Sequence, residues 1–556
     1  MTEERTPTEI DRIADAWVDT SARLSPELGT YIGRDEGQDR FSDYSPEGLE
    51  AWAEAARSTL AQLRSAAPVD DVDRVTQRDL GEELQLELQL QEARWPLRDL
   101  NVIESPSQQV RNVFDLMPTD TADDWVTIAR RLQAVPDALA GYTETLRRGI
   151  AEGVVPAARQ VREVAGQIER YTAEDGFFAT LASGAAAKEG ALPEAVRTEL
   201  DRGQRAAREA YADLRAFLRD ELAPVAGETD GVGRELYALH SRSFLGAVID
   251  LDETYEWGVE ELARMTEEQE RIADRIKPGA SVEEAIAFLE QDETRKLHGT
   301  AALQEWMQRT SDAAVAELGR THFDIPEPVR ELECMIAPTQ EGGIYYTGPT
   351  DDFSRPGRMW WSVPEGVTEF DTWRELTTVY HEGVPGHHLQ IGQAVYNRAE
   401  LNSWRRLLSG PSGHAEGWAL YAERLMEQLG YLEDPADRLG MLDGQRMRAA
   451  RVVLDIGVHL GKQRPDGQGT WDAGYALDFM RRNVNMDDGF VRFEVNRYLG
   501  WPGQAPSYKV GQRIWEQVRD AYAAKRGADF SMKEFHKRAL DLGGVGLDTL
   551  RMALVG

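Results

Sequence analysis

Residues 381–388 read His381-Glu382-Gly383-Val384-Pro385-Gly386-His387-His388, and this run constrains how the chain around it can fold. The preceding residues, from Asp371 to Tyr380, carry no breaker and read as a helix ending near His381 and Glu382. That helix cannot pass through the run unchanged. Pro385 lacks the N–H that would bond the His381 carbonyl, and its ring clashes there. On an unbroken helix His381 and His387 would stand about 9 Å apart along the axis and about 120° apart around it. His381 and His388 would share a face but lie about 10 Å apart. Ligands of one zinc ion each sit about 2.0–2.1 Å from it, so neither pair could share a metal that way. Gly383 and Gly386 admit backbone angles that other residues avoid. The run therefore predicts an outward bulge over Gly383–Gly386 that shortens the path between histidines, with helix resuming at His387.

Three of the nine histidines fall in these eight positions. The pattern is a lengthened form of H-E-x-x-H, in which two histidines bind zinc and the adjoining glutamate is the general base. Glu382 takes the place of that base. His387 and His388 are alternatives for the second ligand, with Gly386 directly before His387 favouring His387 because glycine lets another helix approach. A catalytic zinc usually has three protein ligands. The third is sought in Gly413-His414-Ala415-Glu416-Gly417-Trp418, where Glu416 and His414 are the candidates. Glu423 lies two turns beyond Glu416 on the same face, placed to orient a ligating histidine. An oxyanion needs a hydrogen-bond donor besides a metal. Tyr508, His459 and Tyr498 are the candidates.

The rest of the chain is helical by pattern. Apolar residues recur at helical spacing over 72–95, 122–151, 156–173, 190–222, 252–276 and 296–319, and Ser281-Val282-Glu283-Glu284 is a capping box. Short strands are predicted at Leu332–Ala337, Ile344–Thr347 and Arg358–Val363, just before the His-Glu run. The expected fold class is mainly α: a helical N-terminal region over 1–320 and a catalytic region over 321–556 holding the small sheet and the site helices, in one continuous structural unit. The formal net charge of −34 disfavours nucleic acid and anionic membranes as partners. Cys334 is the single cysteine, which excludes an intramolecular disulfide. With a charged start at Met1-Thr2-Glu3-Glu4-Arg5 and no long apolar run, a cytoplasmic protein is expected.

His-Glu-x-x-Pro-Gly-His-His followed by Glu416-Gly417-Trp418-Ala419-Leu420-Tyr421-Ala422-Glu423 resembles the bacterial domain-of-unknown-function family 885. Arg451 to His459, Pro502 to Gly511, Ser25 to Thr30 and Asp43 to Glu47 carry the resemblance along nearly the whole chain. Gly413-His414 and Pro506 depart from it. The resemblance implies a fold similar to thermostable metallocarboxypeptidases, a large helical body with a deep groove. It implies Zn2+ as cofactor, His381, His387 and Glu416 as metal ligands, and Glu382 as base. The implied activity is that of a zinc metallopeptidase, carboxypeptidase-like, attacking an amide bond of a peptide with a metal-activated water; a zinc hydrolase of a small-molecule amide, or a non-catalytic helical binding protein, is the alternative. A carboxypeptidase needs a cation for the substrate carboxylate, for which Arg355, Arg358, Arg497, Lys509 and Arg513 are candidates.

Overall fold

Helical periodicity becomes helix almost everywhere it occurs. In a computed structural model that describes residues 5–188, 190–337 and 343–556, helices run over Asp71–Glu92, Ala122–Glu152, Ala158–Thr172, Glu194–Phe217, Leu251–Ile276 and Thr300–Thr321. Met1 to Glu4, at the predicted charged start, lie outside the described residues. Local chemistry sets the ends. Thr121 and Asp124 form a capping box that opens the Ala122 helix, and Gly153, at φ 69°, closes it. Ser281 and Glu284 cap the short helix Val282–Leu289 as their spacing predicts.

One expectation fails. Lys296–His298, predicted as the start of a helix, is a strand paired antiparallel to Glu369–Asp371. Gly299, at φ +83°, separates it from the Thr300 helix. A three-residue strand is too short to leave a periodic signal.

The three predicted strands form the expected sheet. Gly357–Trp361 lies in its centre, parallel to Leu332–Ile336 and antiparallel to Ile344–Thr347. Cys334, Met359 and Trp361 on this sheet pack with Val379 of the Thr372–Glu382 helix. The protein is thus mainly helical, with a small sheet set against the helix that carries His381. The largest apolar cluster draws on residues from Val75 to Leu554 and includes Tyr380, Val384, Leu389 and Trp418, which flank the His-Glu run on several sides. No helix among the described residues is long and apolar enough to cross a membrane.

Candidate metal centre

The chain breaks, rather than bulges, at the glycines and proline. The motif helix, Thr372–Glu382, ends with the Gly383 N–H on the Val379 carbonyl at 2.9 Å. A second helix, His387–Tyr396, starts four residues on. The intervening turn contains a cis Val384–Pro385 peptide and is closed by Gly386 N–H to Tyr380 O at 3.1 Å and His388 N–H to Gly383 O at 3.2 Å. Gly386 serves this turn and not a neighbouring helix: a Cβ there would meet the His381 carbonyl oxygen at 1.8 Å. The Ser412–Gln428 helix pins the turn from outside, because the Trp418 indole N–H donates to Pro385 O at 2.9 Å and Gly386 O at 3.2 Å. That helix comes close to Ser507–Arg526 at Gly417, where a Cβ would meet the Gly511 carbonyl carbon at 2.5 Å.

The break turns His381 and His387 toward each other, ring centroids 4.9 Å apart and planes at 87°. Ligand atoms of His381, Glu382 and His387 all lie within 4.8 Å of one another, so these residues could hold a metal ion. Glu416 joins them. Its Oε2 lies 3.3 Å from His381 Nε2 and 3.7 Å from His387 Nε2. Yet that oxygen is buried and makes no hydrogen bond. Two atoms each about 2.0–2.1 Å from a tetrahedral zinc stand roughly 3.3–3.4 Å apart. The Glu416 spacings match ligands around a shared cation better than donor and acceptor facing each other. Glu382 is the other carboxylate within reach, and the two compete for the role of third ligand. Glu416 faces both imidazole Nε2 atoms and leaves Glu382, next to His381 in sequence, beside the cluster.

Glu423 orients His381 as its spacing predicts. Its Oε1 accepts the Nδ1 proton at 2.7 Å, and its Oε2 accepts from Gln445 at 3.1 Å. Lys509 in turn donates to Gln445 at 2.8 Å and pairs with Glu261 at 3.1 Å. His387 has no such tether: its Nδ1 is buried without a hydrogen bond, so the backbone break aims the ring. Burial pushes the His381 pKa down, but Glu416 and Glu423 override it and raise it to about 10. Burial likewise opposes ionisation of Glu416, yet the two imidazoles hold its carboxyl well below the usual range. Burial raises Glu382, with His387 and His381 pulling the other way. The cluster thus attracts positive charge between its histidines and leaves Glu382 the more basic carboxylate.

The remaining candidates separate clearly. His388 donates from Nε2 to the Val329 carbonyl at 2.7 Å and accepts at Nδ1 from the Tyr346 hydroxyl at 2.9 Å. Both nitrogens are used, and the residue ties the second helix to the sheet. His414 packs on Trp515 and meets Gln390 at 3.3 Å, away from Glu416's partners. Tyr498 is engaged by Arg451 and Glu494. His459 must be corrected. It is fully buried, donates to the Tyr498 carbonyl at 3.0 Å and stacks on Tyr237. It stands fourteen residues along the Pro435–Leu460 helix from Gln445, the partner of Glu423, roughly 21 Å. It is a core histidine held by its neighbours. Tyr508 feels the charge of Glu416. Burial and the Glu416 charge raise its pKa, and Arg451 and Arg448 lie 5.0 and 5.9 Å from its ring.

Gln445 and Arg448 were missed by the reading of the sequence. They belong to a polar stripe, Gln445, Arg448, Arg451, Asp455 and His459, along one face of a largely buried helix. That spacing of three and four was the available signal.

The sequence matches the family described as bacterial protein of unknown function (DUF885) over residues 26–554, and the chain belongs to it. No curated protein matches. Two solved structures share the fold over nearly the whole length. One, from Colwellia psychrerythraea, is 22% identical with a TM-score of 0.84, covering 99% of each chain. The other, from Shewanella oneidensis, is 16% identical with a TM-score of 0.75, covering 99% of this chain and 100% of that one. A carboxypeptidase from Pyrococcus furiosus aligns over 100% of this chain and 97% of that one with a TM-score of 0.39 and 13% identity, too slight a likeness to argue from. The first two are each described as a "putative lipoprotein", which overturns the expectation of a cytoplasmic protein. The lack of a long apolar run bears on membrane-spanning helices and says nothing of a covalent lipid anchor.

Proposed function

We propose that this protein is a zinc-dependent amide hydrolase, a metallopeptidase of carboxypeptidase type, with His381, His387 and Glu416 as ligands and Glu382 as general base. The observation that carries this reading is the Glu416 oxygen, buried, unbonded and facing both imidazoles at 3.3 and 3.7 Å. Zinc suits imidazole and carboxylate ligands, and when bound it supplies Lewis acidity that acidifies water and polarises a carbonyl.

The chain's own residues do the rest. Glu423 fixes His381 with Nε2 turned to the cluster. Glu382 takes a proton from water as the water oxygen adds to the carbonyl carbon, then delivers it to the departing amine as the C–N bond breaks. Burial, which raises its pKa, suits it to both transfers. Tyr508 keeps its proton and, with no hydrogen bond among the described residues, donates to the oxyanion.

The test is metal content by mass spectrometry together with hydrolysis of a peptide library. Wild type is expected to carry about one zinc per chain. Glu382→Gln should keep the zinc and lose activity on the order of 10²–10⁴-fold. Full activity in that variant, or no zinc uptake by the wild type, would overturn the reading. Products from small amides but not from peptides would change the substrate class and leave the chemistry in place.

A further inference from the structure

The cations around the site are nearly all engaged. Arg451 bonds the Tyr498 hydroxyl at 2.6 Å and Glu494 at 2.8 Å. Arg497 bonds Glu494 at 2.9 Å and Gln504 at 2.6 Å. Lys509 is held by Gln445, Gln512 and Glu261. Arg358 pairs with Glu333, Arg513 with Glu253, and Arg355 is tied to the carbonyls of Gly348 and Pro356. Each sequence-predicted carboxylate binder is therefore occupied.

Arg448 is the exception. Among the described residues no hydrogen bond or ion pair reaches its guanidinium, and its Nε is buried without a partner. The residue is only partly covered, so its fork stays open to a ligand. Helix geometry puts it where it matters. It lies one turn beyond Gln445, on the face that meets Glu423. Its charge is felt by Glu382, Glu423 and Tyr508, and its guanidinium lies 5.9 Å from the Tyr508 ring. A partly buried guanidinium left without an anion next to a reacting centre is a costly arrangement in a chain with 97 acidic residues.

We infer that Arg448 binds the free C-terminal carboxylate of the substrate, so that the enzyme removes single residues from peptide C-termini. The inference rests on the amide-hydrolase reading above and names its substrate class. A planar guanidinium receives a carboxylate through two parallel N–H···O bonds. The carboxylate of a terminal residue lies one residue's length, about 3.5 Å, from the scissile carbonyl. A cation flanking the proposed base and oxyanion donor is correctly placed for that short reach. Arg448 is a specificity-determining residue here, and its loss should fall on KM more than on kcat.

The experiment uses the full zinc-loaded chain and one N-acetylated peptide library made twice, with free C-terminal acids and with C-terminal amides. Wild type should release terminal residues from the acids and leave the amides intact. Arg448→Gln should lower kcat/KM on the acids about 100-fold through KM, with zinc content and melting temperature unchanged. Arg448→Lys, which keeps the charge and loses the fork, should fall between. Binding is read separately in the Glu382→Gln background by ultrafiltration and mass spectrometry, where acids should be retained over amides and Arg448→Gln should abolish the preference. Equal hydrolysis of acids and amides would overturn this inference and with it the carboxypeptidase mode, and leave the zinc-dependent amide-hydrolase chemistry standing. Preferential binding of acids without hydrolysis by wild type would do the reverse. Absence of both would overturn both.

Discussion

Removing one indole N–H should loosen the proposed metal centre without touching a proposed ligand. Trp418 is fully buried and holds the turn between the histidine helices through Pro385 O and Gly386 O. Trp418→Phe keeps an aromatic ring against Trp515, now 5.0 Å away, and deletes the donor. Two buried carbonyls then lose their shared partner, which costs about 1–3 kcal/mol. The smaller ring leaves a void of roughly 40 Å³, worth about 1 kcal/mol at ~24 cal/mol per Å³. The expected destabilisation is about 2–4 kcal/mol, measured by denaturant titration of the metal-free protein. Because His387 has no hydrogen bond at Nδ1, the freed turn lets its ring drift. Zinc affinity, measured by competition with a chelator, should weaken about tenfold or more, the equivalent of about 1.4 kcal/mol of that strain appearing in binding. Trp373→Phe is the control: Trp373 is equally buried but its N–H makes no hydrogen bond, so it should lose only the void contribution. Unchanged zinc affinity in Trp418→Phe would refute the idea that the pinned turn aims His387.

Three further outcomes are expected. Glu423→Gln keeps the shape but removes the charge on His381 Nδ1, and should weaken zinc binding about 10–100-fold in the same chelator assay; wild-type affinity would show that the carboxylate does not orient the ligand. Gly417→Val forces a side chain into the Gly511 backbone, so the melting temperature and zinc stoichiometry should fall together, whereas Gly166→Ala, inside a helix with nothing within 4 Å, should keep the stoichiometry and not lower the melting temperature. His459→Gln tests a titration: burial lowers the folded pKa of His459 to about 4, against 6.5 as the ordinary value, so the group is neutral in the fold. Its contribution is complete above pH 6.5 and is lost as pH falls toward 4, at about 1.4 kcal/mol per pH unit. The stability difference between wild type and variant should therefore shrink by about 3 kcal/mol across that window, and parallel pH curves would contradict it.

The helices and the sheet were legible because their signals are local. Capping residues, apolar spacing and β-rich runs between glycines sit within a few positions of what they determine. Lys296–His298 escaped because its only support is Glu369–Asp371, more than seventy residues away. The site was half legible for the same reason. Pro385 and the glycines require an interruption, and any reading of them finds it. Whether His387 or His388 faces the cluster depends on Val329 O and Tyr346, which are remote in sequence and occupy both nitrogens of His388. His459 with Asp455 four residues before it looks like a working pair, but Tyr498 and Tyr237 make it part of the core. Of the five predicted cations, Arg358, Arg497, Lys509 and Arg513 pair with carboxylates and Arg355 bonds two backbone carbonyls; charge is visible in a sequence and such partners are not.

The lengthened motif changes what holds the two histidines in place. In H-E-x-x-H one helix fixes both by its own geometry. Here each stands on a separate helix and is set by different neighbours. His381 is set by Glu423, itself braced through Gln445 and Lys509 by two further helices. His387 is set by a turn that Trp418 pins and by a helix that His388 ties to the sheet through Tyr346. The paired imidazoles therefore exist only when sheet, motif helices and glutamate helix have all docked. Unlike a helix-borne pair, they have no local fragment that could hold a metal alone, and this couples the small sheet to the proposed chemistry although none of its residues belongs to the cluster.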